Sequence, residues 1–261
     1  MEFLDYFSHT YIVNLPERED RRTGMNRELK RAGFACSGPH FRYFPAIKPT
    51  EKKAFPSNGV LGCFLSHLEI LKLAERENLQ NVVIMEDDLA IPKDFAAAVR
   101  PVCQQLSTTP WDVVLLGHLP YQHSNIAESE PAAASEYEPC SLQPTQVPLR
   151  GTHFYAVNQC AYRKLIYFLE TLLAKRIEKQ WLESDGLIDN LDGAYLDTAL
   201  YLFNRNVPNV NFYAVSPSLG WQRNSSSDIS PGRFDQIAWL KTLMNDARSL
   251  RYGLARRLVD R

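Results

Sequence analysis

The chain has 261 residues, of which 45% are hydrophobic and 23% charged, and its formal net charge is -1 at pH 7. That length holds one large α/β domain, alone or with a small appendage, and the composition can bury a sizeable core. The balanced charge excludes the basic field of a typical nucleic-acid binder, so no nucleic-acid partner is expected.

Cys36, Cys63, Cys103, Cys140 and Cys160 form no CxxC pair. They read as buried reduced thiols of a cytosolic protein, with neither a disulfide framework nor a zinc site indicated. The opening MEFLDYFSHT has no signal-peptide pattern. Apolar runs stay well below the ~20 residues of a membrane span. A cytoplasmic location is expected, with any membrane contact peripheral.

In chain order, Tyr11–Leu15 reads as a buried strand. Pro16 then opens a charged helical stretch to Arg31, which Gly33 stops. Gly59–Asn78 is the clearest helix, with Leu61, Phe64, Leu65, Leu68 and Leu71 at helical spacing. Asn81–Met85 is an apolar run that fits a strand covered on both faces, and Trp111–Leu116 repeats it. This order predicts an α/β fold: a mostly parallel sheet flanked by helices. A polar insert at about 118–149, rich in Ser, Pro, Glu and Gln, fits a lid or a plain surface loop. Thr152–Val157 is the next strand, and Asn158 can cap a helix running to about Lys175. A helix from Asp192 to Asn204 and a strand at Asn211–Val215 follow. Residues 1–232 thus read as one domain, and residues 233–261 as a basic helical tail. Leu250, Leu254 and Leu258 align there at four-residue spacing. The tail suits either docking on the domain or peripheral contact with an acidic membrane face.

Glu86-Asp87-Asp88 directly follows the Asn81–Met85 run. At the carboxyl end of a parallel strand these carboxylates face the crevice where open α/β sheets bind ligands. Strand alternation puts Glu86 and Asp88 on one side and Asp87 on the other. Unpaired, they repel one another and resist desolvation. A hard divalent cation, Mn²⁺ or Mg²⁺, relieves this and can also bind diphosphate oxygens. A solvated turn before Pro92 is the plain alternative.

Several segments together resemble glycosyltransferase family 25, which includes bacterial lipooligosaccharide galactosyltransferases and collagen galactosyltransferases. They are Tyr11-Ile-Val-Asn-Leu-Pro-Glu-Arg-Glu-Asp-Arg-Arg22, Gly62-Cys-Phe-Leu-Ser-His67, Val82-Val-Ile-Met-Glu-Asp-Asp-Leu89 and Gly151-Thr-His-Phe-Tyr-Ala-Val157. Asp197 and the stretch from Pro217 to Ile229 resemble its C-terminal elements. The order matches across about residues 10 to 230. The resemblance implies a GT-A type fold, a UDP-sugar donor (typically UDP-galactose), inversion at the anomeric carbon and a role in cell-surface glycan (lipooligosaccharide or lipopolysaccharide) synthesis. The polar insert and Pro16 depart from the family pattern.

Inverting transfer needs a neutralised diphosphate, a base for the acceptor hydroxyl and a held sugar. Asp88 and then Glu86 are the metal candidates, and Asp87 is a candidate for donor hydroxyls. Asn14, Arg18 and Arg21 are candidates for the nucleotide, because an arginine fork suits phosphate oxygens. Ion pairs with Glu17, Glu19 and Asp20 are the alternative use of these arginines. Ser66 and His67 lie on the strong helix, where a histidine reads as a core residue by spacing alone. The resemblance gives them, and Gln222, a donor-side role. Asp197 is the base candidate, as a carboxylate inside an apolar helix, with Asp189 in reserve and His153 as a further site residue. Two other functions use the same residues. A metal-dependent nucleotidyl or phosphoryl transferase is weakened by the lack of a Walker-type glycine loop. A catalytically silent binding module is weakened by the intact Glu86-Asp87-Asp88 run.

Overall fold

The computed structural model describes residues 1–35, 40–120, 139–145, 149–177 and 195–223. In chain order its elements are α1 (Phe3–Tyr6), β1 (Thr10–Asn14), α2 (Glu19–Arg31), β2 (Phe41–Pro45), α3 (Asn58–Arg76), β3 (Asn81–Glu86), β4 (Leu89–Ala90), α4 (Phe95–Thr108), β5 (Val113–Pro120), β6 (Ser141–Pro144), β7 (Leu149–Asn158), α5 (Gln159–Ile177), α6 (Leu196–Asn206), β8 (Phe212–Ser216) and β9 (Trp221–Gln222).

Seven strands form one sheet in the order β2-β1-β3-β7-β5-β8-β6. β1 runs parallel to β2 and β3, and β5 runs parallel to β8. β7 and β6 are antiparallel to their neighbours. The mostly parallel, helix-flanked sheet expected from the sequence is present. Its antiparallel strand lies near the middle, which the apolar runs did not indicate.

Alternation along β3 sorts the core into two layers. Val82 and Ile84 join α3, α5 and α6 on one face, while Val83 and Met85 join α1, α2 and α4 on the other. Every residue of β1 is buried, because it has a strand on each side and a helix layer on each face. Ser57 caps α3 by accepting the Val60 N–H at 3.1 Å.

Three expectations change. Pro16 lies in a turn before α2, which starts at Glu19 with Arg18 as N-cap. Ser141–Pro144, inside the expected polar insert, is an edge strand on β8. An edge tolerates proline and polar residues, because one side of the strand makes no ladder bonds. The last helix starts at Leu196, which moves Asp197 from its interior to its first turn. Residues 121–138 and 146–148 of the insert, Asp189, Asp192 and the whole 233–261 tail lie outside the described residues.

Candidate functional site

The parallel strands β1 and β3 end side by side, with Val13 level with Glu86. Beyond those ends lie the start of α2 and the short β4–β9 pair, in which Leu89 pairs with Gln222 and Ala90 with Trp221. Residues far apart in sequence therefore meet at one edge of the sheet.

Asp87 joins β3 to β1 and α2. Its Oδ2 accepts from Asn14 Nδ2 at 2.7 Å, and its Oδ1 accepts from Arg21 Nη1 at 2.7 Å. Asn14 is buried, also donates to the Arg18 carbonyl, and accepts at Oδ1 from Arg22 at 3.1 Å. Arg22 also stacks over the Tyr43 ring, 4.9 Å from its centre. Arg21 lies 3.4 Å from Asp88 as well. Burial opposes the Arg21 charge, but Asp88 and Asp87 outweigh it and raise its pKa. Arg18 instead binds Asp20 through two 2.9 Å hydrogen bonds. That is the ion-pair alternative anticipated for this turn.

The carboxylates do not alternate as an extended chain would place them. The strand stops at Glu86, and Asp87-Asp88 turn into β4. Asp87 and Asp88 therefore share Arg21, while Glu86 continues the Val82–Ile84 face toward α3. Glu86 receives only long contacts, from Thr152 Oγ1 at 3.4 Å and Gln222 Nε2 at 3.3 Å. Burial first, then the charges of Asp88 and Asp87, push its pKa up to about 8. Burial also raises Asp88, against the opposing pull of Arg21 and Arg223. Asp88 Oδ1 is buried without a hydrogen-bond partner among the described residues.

His67 sits beneath Glu86. Its ring is fully buried and accepts or donates at Nδ1 with the Tyr155 hydroxyl at 2.9 Å, while Nε2 points to Glu86 Oε1 at 4.0 Å. Burial lowers its pKa to about 3, so the ring is neutral. Cys63 lies one helical turn earlier on α3. Burial pushes its thiol well up, followed by the charges of Glu86, Asp197 and Asp88.

Asp197 accepts from the Gly151 N–H at 3.3 Å and from the Thr198 N–H at 2.7 Å. A carboxylate in the first turn is favoured by the helix dipole, so its fold role needs no buried cation. It lines a cleft with Gly151, Thr152, Leu149 and Tyr201. That cleft reaches the site through a bulge in β7. Gly117 pairs with Phe154 but Leu119 with Arg150, so β7 spends more residues than β5 over the same span. Gly151 takes the bulge conformation, at φ +88°. The bulge turns Thr152 toward Glu86.

Two candidates are used by the fold. Ser66 donates to the Gly62 carbonyl at 2.6 Å and accepts from the Ile47 N–H at 2.8 Å, fixing the segment after β2 to α3. A Cβ on Gly62 would collide with the Ile47 carbonyl, which explains that glycine by close packing. His153 is buried between Gly117, Gly151 and Gly220 and contacts the Gly220 carbonyl at 3.2 Å. Burial lowers its pKa to about 4.

The sequence alone does not single out Cys63, Thr152 and Tyr155 as site residues, and it places Arg223 only within the stretch from Pro217 to Ile229. Arg223 donates its backbone N–H to the Asp88 carbonyl at 2.7 Å and its guanidinium to the Asp87 carbonyl. It packs over Gly24, where a Cβ would collide with the guanidinium. A glycine in the middle of a charged helix was the available signal for that approach. The Cys63–His67 spacing of four was the signal for a shared helix face.

A family model described as glycosyltransferase family 25 (LPS biosynthesis protein) matches residues 7–181. The chain belongs to glycosyltransferase family 25. A glycosyltransferase 25 family member from Drosophila melanogaster is 26% identical over 162 residues, covering 49% of this chain and 26% of that protein. Procollagen galactosyltransferase 1-A from Xenopus laevis is 28% identical over 129 residues, covering 42% of this chain and 21% of that protein. The match thus spans about a quarter or less of these relatives' length. A crystal structure of a glycosyltransferase involved in glycosylation of the PBCV-1 major capsid superposes with a TM-score of 0.43 at 13% identity, covering 79% of this chain and 80% of that one.

Proposed function

We propose that this family 25 chain is an inverting, metal-dependent glycosyltransferase. It moves a hexose, galactose from UDP-galactose in the first instance, onto a saccharide or hydroxylated acceptor in cell-surface glycan synthesis. The observation that carries this reading is the edge of β1 and β3. Three carboxylates and two arginines meet there, and Asp88 Oδ1 is buried without a partner among the described residues.

The residues fit a hard cation. Asp88 offers an oxygen without a partner among the described residues, and burial first, then the charges of Asp88 and Asp87, raise the Glu86 pKa, which a bound cation would offset. Asp88 and Glu86 would hold Mn²⁺ or Mg²⁺, which supplies charge neutralisation to the departing diphosphate. Asp87 acts through its partners: it orients Arg21 and Asn14 at the nucleotide side. Arg21 and Arg22 supply positive charge there, and Gln222 borders the donor sugar. Asp197 is the proposed base for the acceptor hydroxyl, since its cleft is lined by Thr152, whose hydroxyl contacts Glu86 at 3.4 Å. Among the described residues no helix is long and apolar enough to cross a membrane. A cytoplasmic site of action is the location this reading favours, with the basic 233–261 tail suited to docking on the domain ahead of peripheral contact with the inner membrane face.

The test is a thermal-shift and donor-hydrolysis panel of UDP-, GDP- and CMP-sugars with and without Mn²⁺. Stabilisation by UDP-hexoses that depends on the metal is expected. No response to any sugar nucleotide would sink the proposal.

A further inference from the structure

Besides the hard-cation edge, the site has a second group of ligand-type atoms. Cys63, His67 and Glu86 each aim one such atom inward, and these atoms lie within 4.8 Å of one another. Among the described residues this is the group that meets that spacing, and the three neighbouring carboxylates do not. We infer that Cys63, His67 and Glu86 form a site for a borderline transition-metal cation of the Zn²⁺ class, distinct from the Mn²⁺ or Mg²⁺ proposed at Asp88.

Three observations support it. First, His67 is fully buried and its Nε2 has no hydrogen-bond partner among the described residues, although Glu86 Oε1 is 4.0 Å away. That separation is too long for a hydrogen bond, and an unsatisfied buried nitrogen is destabilising. Second, the ring is already oriented. Tyr155 engages Nδ1 at 2.9 Å, and the two rings stack within 5° of parallel. Ligating histidines are held in this way through their other nitrogen. Third, the donor set is mixed. Thiolate, imidazole and carboxylate suit Zn²⁺ or Co²⁺, whereas Mg²⁺ prefers oxygen alone. A tetrahedral ion with bonds of about 2.0–2.3 Å needs ligand atoms about 3.3–3.8 Å apart. Small side-chain rotations from the present spacing reach that geometry. Glu86 can serve both sites, because Oε1 faces His67 while Oε2 receives Gln222 at 3.3 Å.

The inference does not depend on the donor assignment. The full chain, freed of metal, is titrated with Co²⁺ alone and followed by absorption. A thiolate-to-cobalt charge-transfer band with tetrahedral visible bands is expected, saturating at one equivalent per chain. Zn²⁺ should displace it and Mg²⁺ should not. Cys63→Ser should abolish the charge-transfer band, His67→Gln should weaken binding at least tenfold, and Cys160→Ser should leave both unchanged. Asp88→Asn should keep the band while losing sugar transfer, which separates this site from the catalytic proposal. Absence of the band in the unmodified chain would overturn the inference, and that result needs no variant to fold. So would a band that survives Cys63→Ser or yields to Mg²⁺. A water bridging His67 and Glu86 predicts the first of these results.

Discussion

Asp87 accepts from Asn14 and Arg21 at 2.7 Å each, whereas the adjacent Glu86 has no described hydrogen bond shorter than 3.3 Å. The Asp87 side is a hydrogen-bonded network, in which Asn14, Arg21, Arg22 and Arg223 each have a partner. The Glu86 side borders a buried imidazole nitrogen that has none among the described residues, and the half-buried Cys63. Two acids one residue apart are thus placed differently, because the strand ends between them. Glu86 follows the sheet's alternation toward α3, and Asp87 follows the turn toward α2. One side builds the site, and the other is left to be completed by something bound.

The comparison is broken most directly at Asp88, which stands between the two regions. Asp88→Asn should lower sugar transfer by about 10²–10³-fold, roughly 3–4 kcal/mol in the barrier, through lost electrostatic stabilisation. The melting temperature should change by only a few degrees. Steady-state rates with a UDP-hexose and Mn²⁺ check this. Retained activity would remove Asp88 from the cation site.

Next comes the hydrogen-bonded network. Asp87→Ala leaves Arg21, only 12% exposed, with Asp88 at 3.4 Å and strands Asn14 Nδ2. Breaking a buried, hydrogen-bonded ion pair costs about 3 kcal/mol. Urea unfolding should show a loss of that order with an unchanged m-value. A loss below about 1 kcal/mol would mean that Asp88 alone can hold Arg21.

The open side should respond to pH. The folded chain keeps the Glu86 proton up to about 8, while an unperturbed glutamate releases it near 4.5. Between those values the folded state binds the extra proton, so stability is lost as pH rises. In metal-free buffer, stability should fall as pH rises from about 5 to about 8, by roughly 1.4 kcal/mol per pH unit at the steepest from this group. Glu86→Gln should flatten the slope, and saturating Mn²⁺ should do the same in the unmodified chain. A slope unchanged by Glu86→Gln would assign the titration to other residues.

This contrast was only partly legible in the sequence. The β3 run and the α3 periodicity each dictate one element and one buried face, so those elements and the acidic strand end could be read directly. The separation of Glu86 from Asp87 could not. It depends on where the strand stops, and boundaries are set by the β4–β9 pairing with residues far along the chain. The antiparallel direction of β7 was hidden for a similar reason: an apolar run fits a central strand of either direction. Asp197 looked like a carboxylate inside an apolar helix because the helix start was placed too early. Cys63 resembled any other buried thiol until Glu86 was brought above it.

The smallest effect tests the seam through Arg223. Gly24 lies in the middle of α2, where glycine costs about 1 kcal/mol relative to alanine. Its lack of a Cβ gives the Arg223 guanidinium room to reach the Asp87 carbonyl. Gly24→Ala should therefore strengthen the helix by about 0.5–1 kcal/mol. It should also push Arg223 aside, since the colliding atoms are the far end of a flexible side chain. Arg223 lowers the Asp88 pKa by its charge, so displacing it alters the field at the cation site. Transfer should fall several-fold while the melting temperature stays level or rises. If both stability and activity rise, Arg223 is packing on α2 and has no part in the site. If stability falls, its guanidinium holds the β4–β9 pair to α2 more firmly than a flexible side chain should.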